Sequence, residues 1–318
     1  MKLSKILALI LSIVILILII KGIGINNLIN ILKRFNLIYL PLIVIIMLID
    51  HILAGLNTWF IASSFRKVQP VPIIKYTFIT LVYAAITPGK LADLLMIPLL
   101  KKQRLTLSQS TITVGIDKII SLFVKAIFGL IGSIFILKKF DLLFFGVPLI
   151  ALFIVIFLVL IFKYKIGLNF LKYKLLKKYS FLFRGFSKDI KNYYKRNKKY
   201  VSYNFIVTII KTFLEALLFF LLFLAFGQST DIIIIFFMFS LLSVIMLLTF
   251  PIGISGLGIR ELIGIIIFGA VGVNSAVVFN SFIVRLVLVY LINLFTINIF
   301  KEELNFLKDS KMFKKFKF

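Results

Sequence analysis

Apolar residues fall in long runs separated by short, basic segments. Eight runs reach the roughly 17–25 residues that an apolar helix needs to cross a bilayer: 3–20, 38–62, 71–87, 110–137, 141–162, 205–227, 232–250 and 275–300. Two shorter apolar segments, near 88–100 and 256–272, open with helix breakers. The first follows Thr87-Pro88-Gly89, and the second follows Pro251-Ile252-Gly253-Ile254-Ser255-Gly256-Leu257-Gly258. The N-terminal run passes from a Leu/Ile core into Ile19-Ile20-Lys21 without a small-residue cleavage site, so it reads as a retained anchor. The expected fold is an all-α polytopic membrane protein, a single integral membrane domain over 1–318. It has about eight long transmembrane helices and two short broken ones.

Composition supports that reading. Hydrophobic residues make up 62% of the 318, against about 45–50% in soluble domains, and mean hydropathy is +1.14. There is no cysteine, so disulfides, thiolate metal sites and a cysteine nucleophile are excluded. One histidine, His51, leaves multi-histidine metal sites without ligands. No metal or other cofactor is expected.

The net charge of +27 would suggest nucleic acid in a soluble protein. Here the bases lie between apolar runs, as in loops facing anionic lipid, so no nucleic-acid partner is expected. Residues 163–199 carry 13 Lys/Arg and a single acid, Asp189, and the tail 301–318 carries six Lys. Placing both in the cytoplasm closes the topology only if both short segments cross. The result is a multi-pass protein of the cell membrane with ten membrane segments and both termini cytoplasmic: 27 bases face the cytoplasm and six lie outside. Leu171, Tyr173, Leu175, Leu176, Tyr179, Phe181 and Phe183 interleave with the bases of the stretch 163–204. That pattern fits either a helix lying on the headgroups or a plain orientation-setting loop.

The two broken segments resemble each other. Pro88-Gly89 is followed by Asp93 and then a long run with Asp117-Lys118. Gly256-Leu257-Gly258 is followed by Arg260-Glu261 and then a long run with Arg285. Asp93 precedes Lys118 by 25 residues and Glu261 precedes Arg285 by 24. With the charge-derived topology, 71–137 and 232–300 form an inverted repeat, whose paired broken helices point to a midplane site. A Gly-rich turn that opens a half-helix aims N–H donors and a partial positive charge at one spot, which suits an anion. The candidate lipid-phosphate binding set is therefore Pro88, Gly89, Lys118, Gly253, Gly256, Gly258, Arg260 and Arg285. Asp93, Asp117, Glu215 and Glu261 are candidates for gating or ion pairing, with Asp93/Lys118 and Glu261/Arg285 as the expected pairs. No nucleophile–base pair is evident, so no catalytic residue and no enzyme activity is expected.

Each ionisable residue in an apolar span costs about 2.5–3.5 kcal/mol on insertion scales. Such residues either form interhelical ion pairs or mark a site. Lys211 and Glu215 stand four apart on one helix face. Asp50-His51 allows a proton site, and Lys125 allows snorkelling to an interface.

Ser255-Gly256-Leu257-Gly258-Ile259-Arg260-Glu261, with Gly272 and Arg285, resembles the GGLG-x-x-E … G … R signature of the lysylphosphatidylglycerol synthetase transmembrane, or flippase-like, family. Pro88, Ala92-Asp93 and Asp117-Lys118 are similar to its weaker P-x-x-x-G-E-x-x-R … (D/E)-R stretch, with Ala92, Met96 and Lys118 standing where the family has Gly, Arg and Arg. The resemblance covers nearly the whole chain. It implies a membrane domain that flips lipid between leaflets, with anionic lipid headgroups and the bilayer as partners. These 318 residues hold no aminoacyl-transferase domain, so synthesis of aminoacyl-lipid is not expected. The expected cargo is a phospholipid or a polyprenyl-phosphate-linked carrier. The rival readings are a non-transporting partner of a glycosyltransferase or lipid-modifying enzyme, and a proton-coupled small-anion carrier using Asp50 or Glu215.

Overall fold

The computed structural model describes residues 3–84, 91–136, 143–164, 189, 193, 198–248 and 256–303. Pro88, Gly89, Gly253, most of the basic stretch 163–204 and the tail beyond 303 lie outside the described residues. Within them the chain is all-helical. The helices are α1 (Leu3–Ile23), α2 (Ile25–Leu32), α3 (Leu40–Ser63), α4 (Pro70–Ala84), α5 (Met96–Lys102), α6 (Leu107–Ile136), α7 (Leu143–Tyr164), α8 (Lys198–Ala225), α9 (Ile232–Leu248), α10 (Ile259–Ala270) and α11 (Ser275–Ile299).

Every long apolar run of the sequence coincides with a helix. Three stretches are long and apolar enough to cross a membrane on their own: Leu37–Ser63, Lys199–Ala225 and Ser275–Ile299, of 27, 27 and 25 residues. A fourth arises if the bent pair Ile10–Ile23 and Ile25–Leu32 is one span. Helix α6 runs for 30 residues but carries Asp117, Lys118 and Lys125 in its interior. The described apolar parts of α4, α7 and α9 are shorter, Pro70–Ala84, Gly146–Phe157 and Ile232–Met246.

Helix α2 was not anticipated. Gly24, at φ +87°, turns the chain by 83° between α1 and α2. Only glycine adopts that conformation without strain. The polar Asn26, Asn27 and Asn30 hide the element in a hydropathy profile, while Leu28 and Ile31 bury its inner face. Asn280 of α11 ties α2 down by donating to the Leu28 carbonyl at 3.0 Å.

Lipid tails are as apolar as leucine, so helices in a bilayer associate through close packing. The largest buried cluster joins α8, α9, α10 and α11, with Phe219 packed on Phe223, Phe268 and Phe282 at ring-centroid distances of 6.1, 6.0 and 4.8 Å. Gly264 opposes Phe282: a Cβ there would lie 2.4 Å from the ring. Helices α6 and α9 approach through Gly129 and Gly132, and a Cβ on Gly132 would sit 2.5 Å from the Phe237 carbonyl oxygen. That neighbour is backbone and cannot swing aside. Gly132→Ala is expected to destabilise the bundle by about 1–3 kcal/mol through overpacking, read as a lower melting midpoint in detergent. Gly115→Ala on the same helix, with nothing within 4 Å of the added Cβ, is the neutral control; equal behaviour of the two would refute the close-contact argument.

Candidate functional site

The polar residues of three apolar helices fall at helical spacing. Helix α8 carries Asn204, Thr208, Lys211 and Glu215; α3 carries Asp50 and Thr58; α6 carries Asp117 and Lys125. Residues three, four or eight apart share a helix face, and polar groups in such helices turn toward one another rather than lipid. Because α3 and α8 both pack on α6 and on each other, the stripes face one another, and Asp50, Thr58, Asp117, Lys125, Lys211 and Glu215 border one cavity of about 420 Å³. Four carboxylates (Asp50, Asp93, Asp117, Glu215) and five cations (Lys118, Lys125, Lys211, Arg260, Arg285) border it. Asp50, Lys211 and Arg285 stand near the midpoints of α3, α8 and α11.

On the α4–α6 side, Lys118 and Asp93 form an ion pair at 2.8 Å, as their spacing suggested. Lys118 keeps 47% of its side-chain surface open, so this pair can exchange partners with an entering anion. The neighbouring Asp117 accepts from Asn204 at 3.0 Å, and the same amide donates to the Asn57 carbonyl at 2.9 Å. Asn57 in turn donates to the Thr208 hydroxyl at 3.0 Å. This buried network clamps α3, α6 and α8 together around Asp117.

Deeper in the bundle the charges alternate. Lys125 bonds Glu215 at 2.6 Å, Glu215 bonds Lys211, and Lys211 pairs with Asp50 at 3.2 Å. The local Lys211–Glu215 pair expected from four-residue spacing is present, extended at both ends by other helices. Lys125 does not snorkel. It is 8% exposed and held inside by Glu215 and the Phe239 ring, whose centroid lies 5.9 Å away.

The second break differs from expectation. Glu261 is fully buried and does not pair with Arg285. Its Oε2 accepts the Gly258 N–H at 2.6 Å, and its Oε1 accepts from Arg260 Nε and Nη2 at 3.1 and 2.6 Å. The acid thus caps the N-terminus of α10 and neutralises Arg260. Gly258 is likewise corrected as a phosphate ligand: its N–H is taken, and a Cβ on it would meet the Ser12 carbonyl of α1 at 2.9 Å. The glycine at φ +84° serves close packing. Gly256, at φ +74°, does border the cavity. Arg260 lies over the Phe282 ring at 5.2 Å.

Arg285 is placed otherwise. Its guanidinium sits 5.9 Å from the Phe219 ring centroid, and its buried Nε makes no hydrogen bond. Among the described residues no carboxylate lies within ion-pair distance of it.

Residues 5–295 match the family described as the lysylphosphatidylglycerol synthase TM region. The chain belongs to this family. It is therefore a multi-pass integral membrane protein of a lipid-related class. No curated protein and no solved structure matches the chain. The family match runs from within α1 to within α11, so the whole cavity lies inside it.

Of the residues singled out in the sequence, Asp93, Asp117, Lys118, Glu215, Gly256, Arg260 and Arg285 come together around this cavity. Glu261 and Gly258 stand behind it as the cap of α10. The sequence reading missed Asn57, Asn204 and Thr208, and left Asp50, Lys125 and Lys211 as packing or proton-site alternatives. The signal was present as polar spacings of four, three and four along α8, but uncharged residues do not stand out in a hydropathy profile. Among the described residues no group of three His, Cys, Asp or Glu could hold a metal ion.

Proposed function

We propose that this protein binds the phosphate of a lipid headgroup in the cavity and carries it between the leaflets of the cell membrane. The observation that supports this most directly is Arg285, a cation bordering the cavity with no carboxylate in reach among the described residues. Arg260 is answered by Glu261, and Arg285 is the lining cation that no carboxylate among the described residues meets within ion-pair distance. A monoanionic phosphate would balance it and take up the guanidinium donors, which match phosphate oxygens in a fork geometry. Lys118 and Arg260 stand nearby to share the contact, and Asp93 would release Lys118 as the phosphate arrives. With Glu261 capping α10, the full charges of these side chains, rather than bare helix N-termini, carry the recognition.

In this reading the helices form eight long spans and two short broken ones, with both termini cytoplasmic. The order α4–α5–α6 against α9–α10–α11, each a helix, a short helix after a break and a long helix, supports an inverted repeat. Position near the helix midpoints supports a site at mid-depth, where repeat-built transporters hold cargo.

The test is extraction of lipid from the purified protein, analysed by mass spectrometry, for wild type and Lys118→Ala/Arg285→Ala. The expected result is one phosphate-bearing lipid class retained by wild type and depleted in the variant. Identical bulk lipid in both would refute a headgroup site.

A further inference from the structure

His51 is the chain's one histidine, and the headgroup reading above assigns it nothing. Its Nδ1 lies 2.6 Å from the Met47 carbonyl oxygen. A carbonyl only accepts, so Nδ1 carries hydrogen and the neutral ring holds its basic lone pair on Nε2. The ring stacks on Phe78, with centroids 5.6 Å apart and planes inclined by 30°, and it borders the main cavity. This is an imidazole with one nitrogen committed and the other left to titrate.

The charges around it come from five helices and from Asp93 in the turn before α5. On α3 itself, Asp50 Oδ2 is 3.7 Å from His51 Nδ1. Helix α8 brings Lys211, paired with the other oxygen of Asp50 at 3.2 Å, and Glu215. Helix α11 brings Arg285 into the smaller adjoining cavity that His51, Asp50 and Glu215 also border. Helix α6 brings Lys125 through its 2.6 Å bond to Glu215, and across the main cavity Asp117 and Lys118, the latter paired with Asp93. Arg260 of α10 borders the main cavity too, neutralised by Glu261. Helix α4 contributes Phe78 and Thr77, which carry no charge.

With Lys118 answered by Asp93 and Arg260 by Glu261, the remaining groups, Asp50, Glu215 and Asp117 against Lys211, Lys125 and Arg285, balance while His51 is neutral. A proton on Nε2 adds one uncompensated positive charge, which a cavity of low dielectric tolerates poorly unless an anion enters. An anion, once bound, removes that penalty. Coupling of this kind is reciprocal: if the anion favours the proton, the proton favours the anion to the same degree.

We propose that His51 is a proton-binding site of the cavity, and that one proton and one phosphate headgroup bind together, each strengthening the other. This rests on the headgroup reading. The proton moves from solvent to Nε2, and no bond in the headgroup breaks. A phosphodiester monoanion and a proton then enter as a neutral pair, so a pH gradient would drive the headgroup across without moving net charge.

The experiment is calorimetric titration of the purified protein with dihexanoyl phosphatidylglycerol. Its phosphodiester stays monoanionic near neutrality, so any proton taken up binds the protein. Dimethyl phosphate, run in parallel, separates recognition of the bare anion from recognition of the lipid. Titrations in buffers of low and high ionisation enthalpy give the number of protons absorbed. Wild type is expected to absorb up to one proton per ligand. Its affinity should rise as pH falls, by at most about tenfold per pH unit. His51→Gln is expected to bind with no proton uptake and a flat pH profile. Asp50→Asn removes the carboxylate that favours the imidazolium and should move the uptake to lower pH; it decides the matter should His51→Gln fail to fold. Absence of binding of either probe by wild type would refute the headgroup reading itself. Binding without proton uptake, or uptake that survives in His51→Gln, would overturn the assignment of His51 and leave that reading standing.

Discussion

Replacing Glu215 with alanine is expected to destabilise the folded bundle by about 3–5 kcal/mol, the usual cost of removing one partner from a buried ion pair. Glu215 is the hinge of the alternating charge chain: one oxygen holds Lys125 of α6 and the other holds Lys211 of its own helix. The Lys125 and Lys211 side chains are only 10% and 20% exposed. Lys211 keeps Asp50 as a second partner at 3.2 Å, but among the described residues Lys125 is left with the ring of Phe239. The variant therefore strands a buried ammonium between α6 and α8. Thermal unfolding in detergent measures the loss. Lys125→Met combined with Glu215→Leu should recover much of it, because an apolar pair of similar volume replaces a buried ion pair at little cost. A shift of Glu215→Ala within the error of wild type, or a double variant no better than the single, would show that the charge chain does not hold these helices.

Arg285→Ala is expected to leave the fold intact and to weaken phosphate-headgroup binding by about 10- to 100-fold, as loss of a hydrogen bond to a charged group of about 1.5–3 kcal/mol implies. The residue has no carboxylate partner among the described residues, and its Nε makes no hydrogen bond. Its removal therefore strands no opposite charge, in contrast to Glu215. Transfer of a fluorescent phospholipid between leaflets of reconstituted vesicles should fall accordingly, while Arg285→Lys should recover only part of it, since an ammonium cannot present the planar fork. Wild-type transfer rates in Arg285→Ala would remove this arginine from the site. Glu261→Ala, which the sequence pairing would have placed beside it as a gate, should behave differently. It uncaps α10 and strips half-buried Arg260 of its carboxylate, so its effect belongs to stability.

The helices were legible in the sequence because lipid imposes a one-dimensional rule. A segment facing hydrocarbon must be continuously apolar for the length of the crossing, and each of the long runs coincides with a helix. The Asp93–Lys118 pair was legible for a related reason. A helical break followed by a returning helix brings residues about one crossing apart to similar depth, and the ion pair at 2.8 Å lies where that spacing places it. Family membership was also readable, through the glycines and charges around Gly256–Glu261 and Arg285.

Choice of partner was not legible. Glu261 stands 24 residues before Arg285 and next to Arg260, and spacing alone allows either cation. The structure gives it Arg260 and the Gly258 N–H, because the first turn of α10 leaves that amide unpaired and α1 closes over it at Ser12. Lys125 reads as an isolated charge until α6 and α8 are packed, when it meets Glu215, 90 residues along the chain. Asn57, Asn204 and Thr208 matter only once α3 and α8 turn the same faces inward. Which residues lie in a helix, and which share a face of it, follow from the order of residues along one chain. Which faces meet depends on how each helix is rotated and how closely it can approach the next. Contacts such as Gly132 on Phe237 and Gly264 on Phe282 set that approach only in the packed bundle.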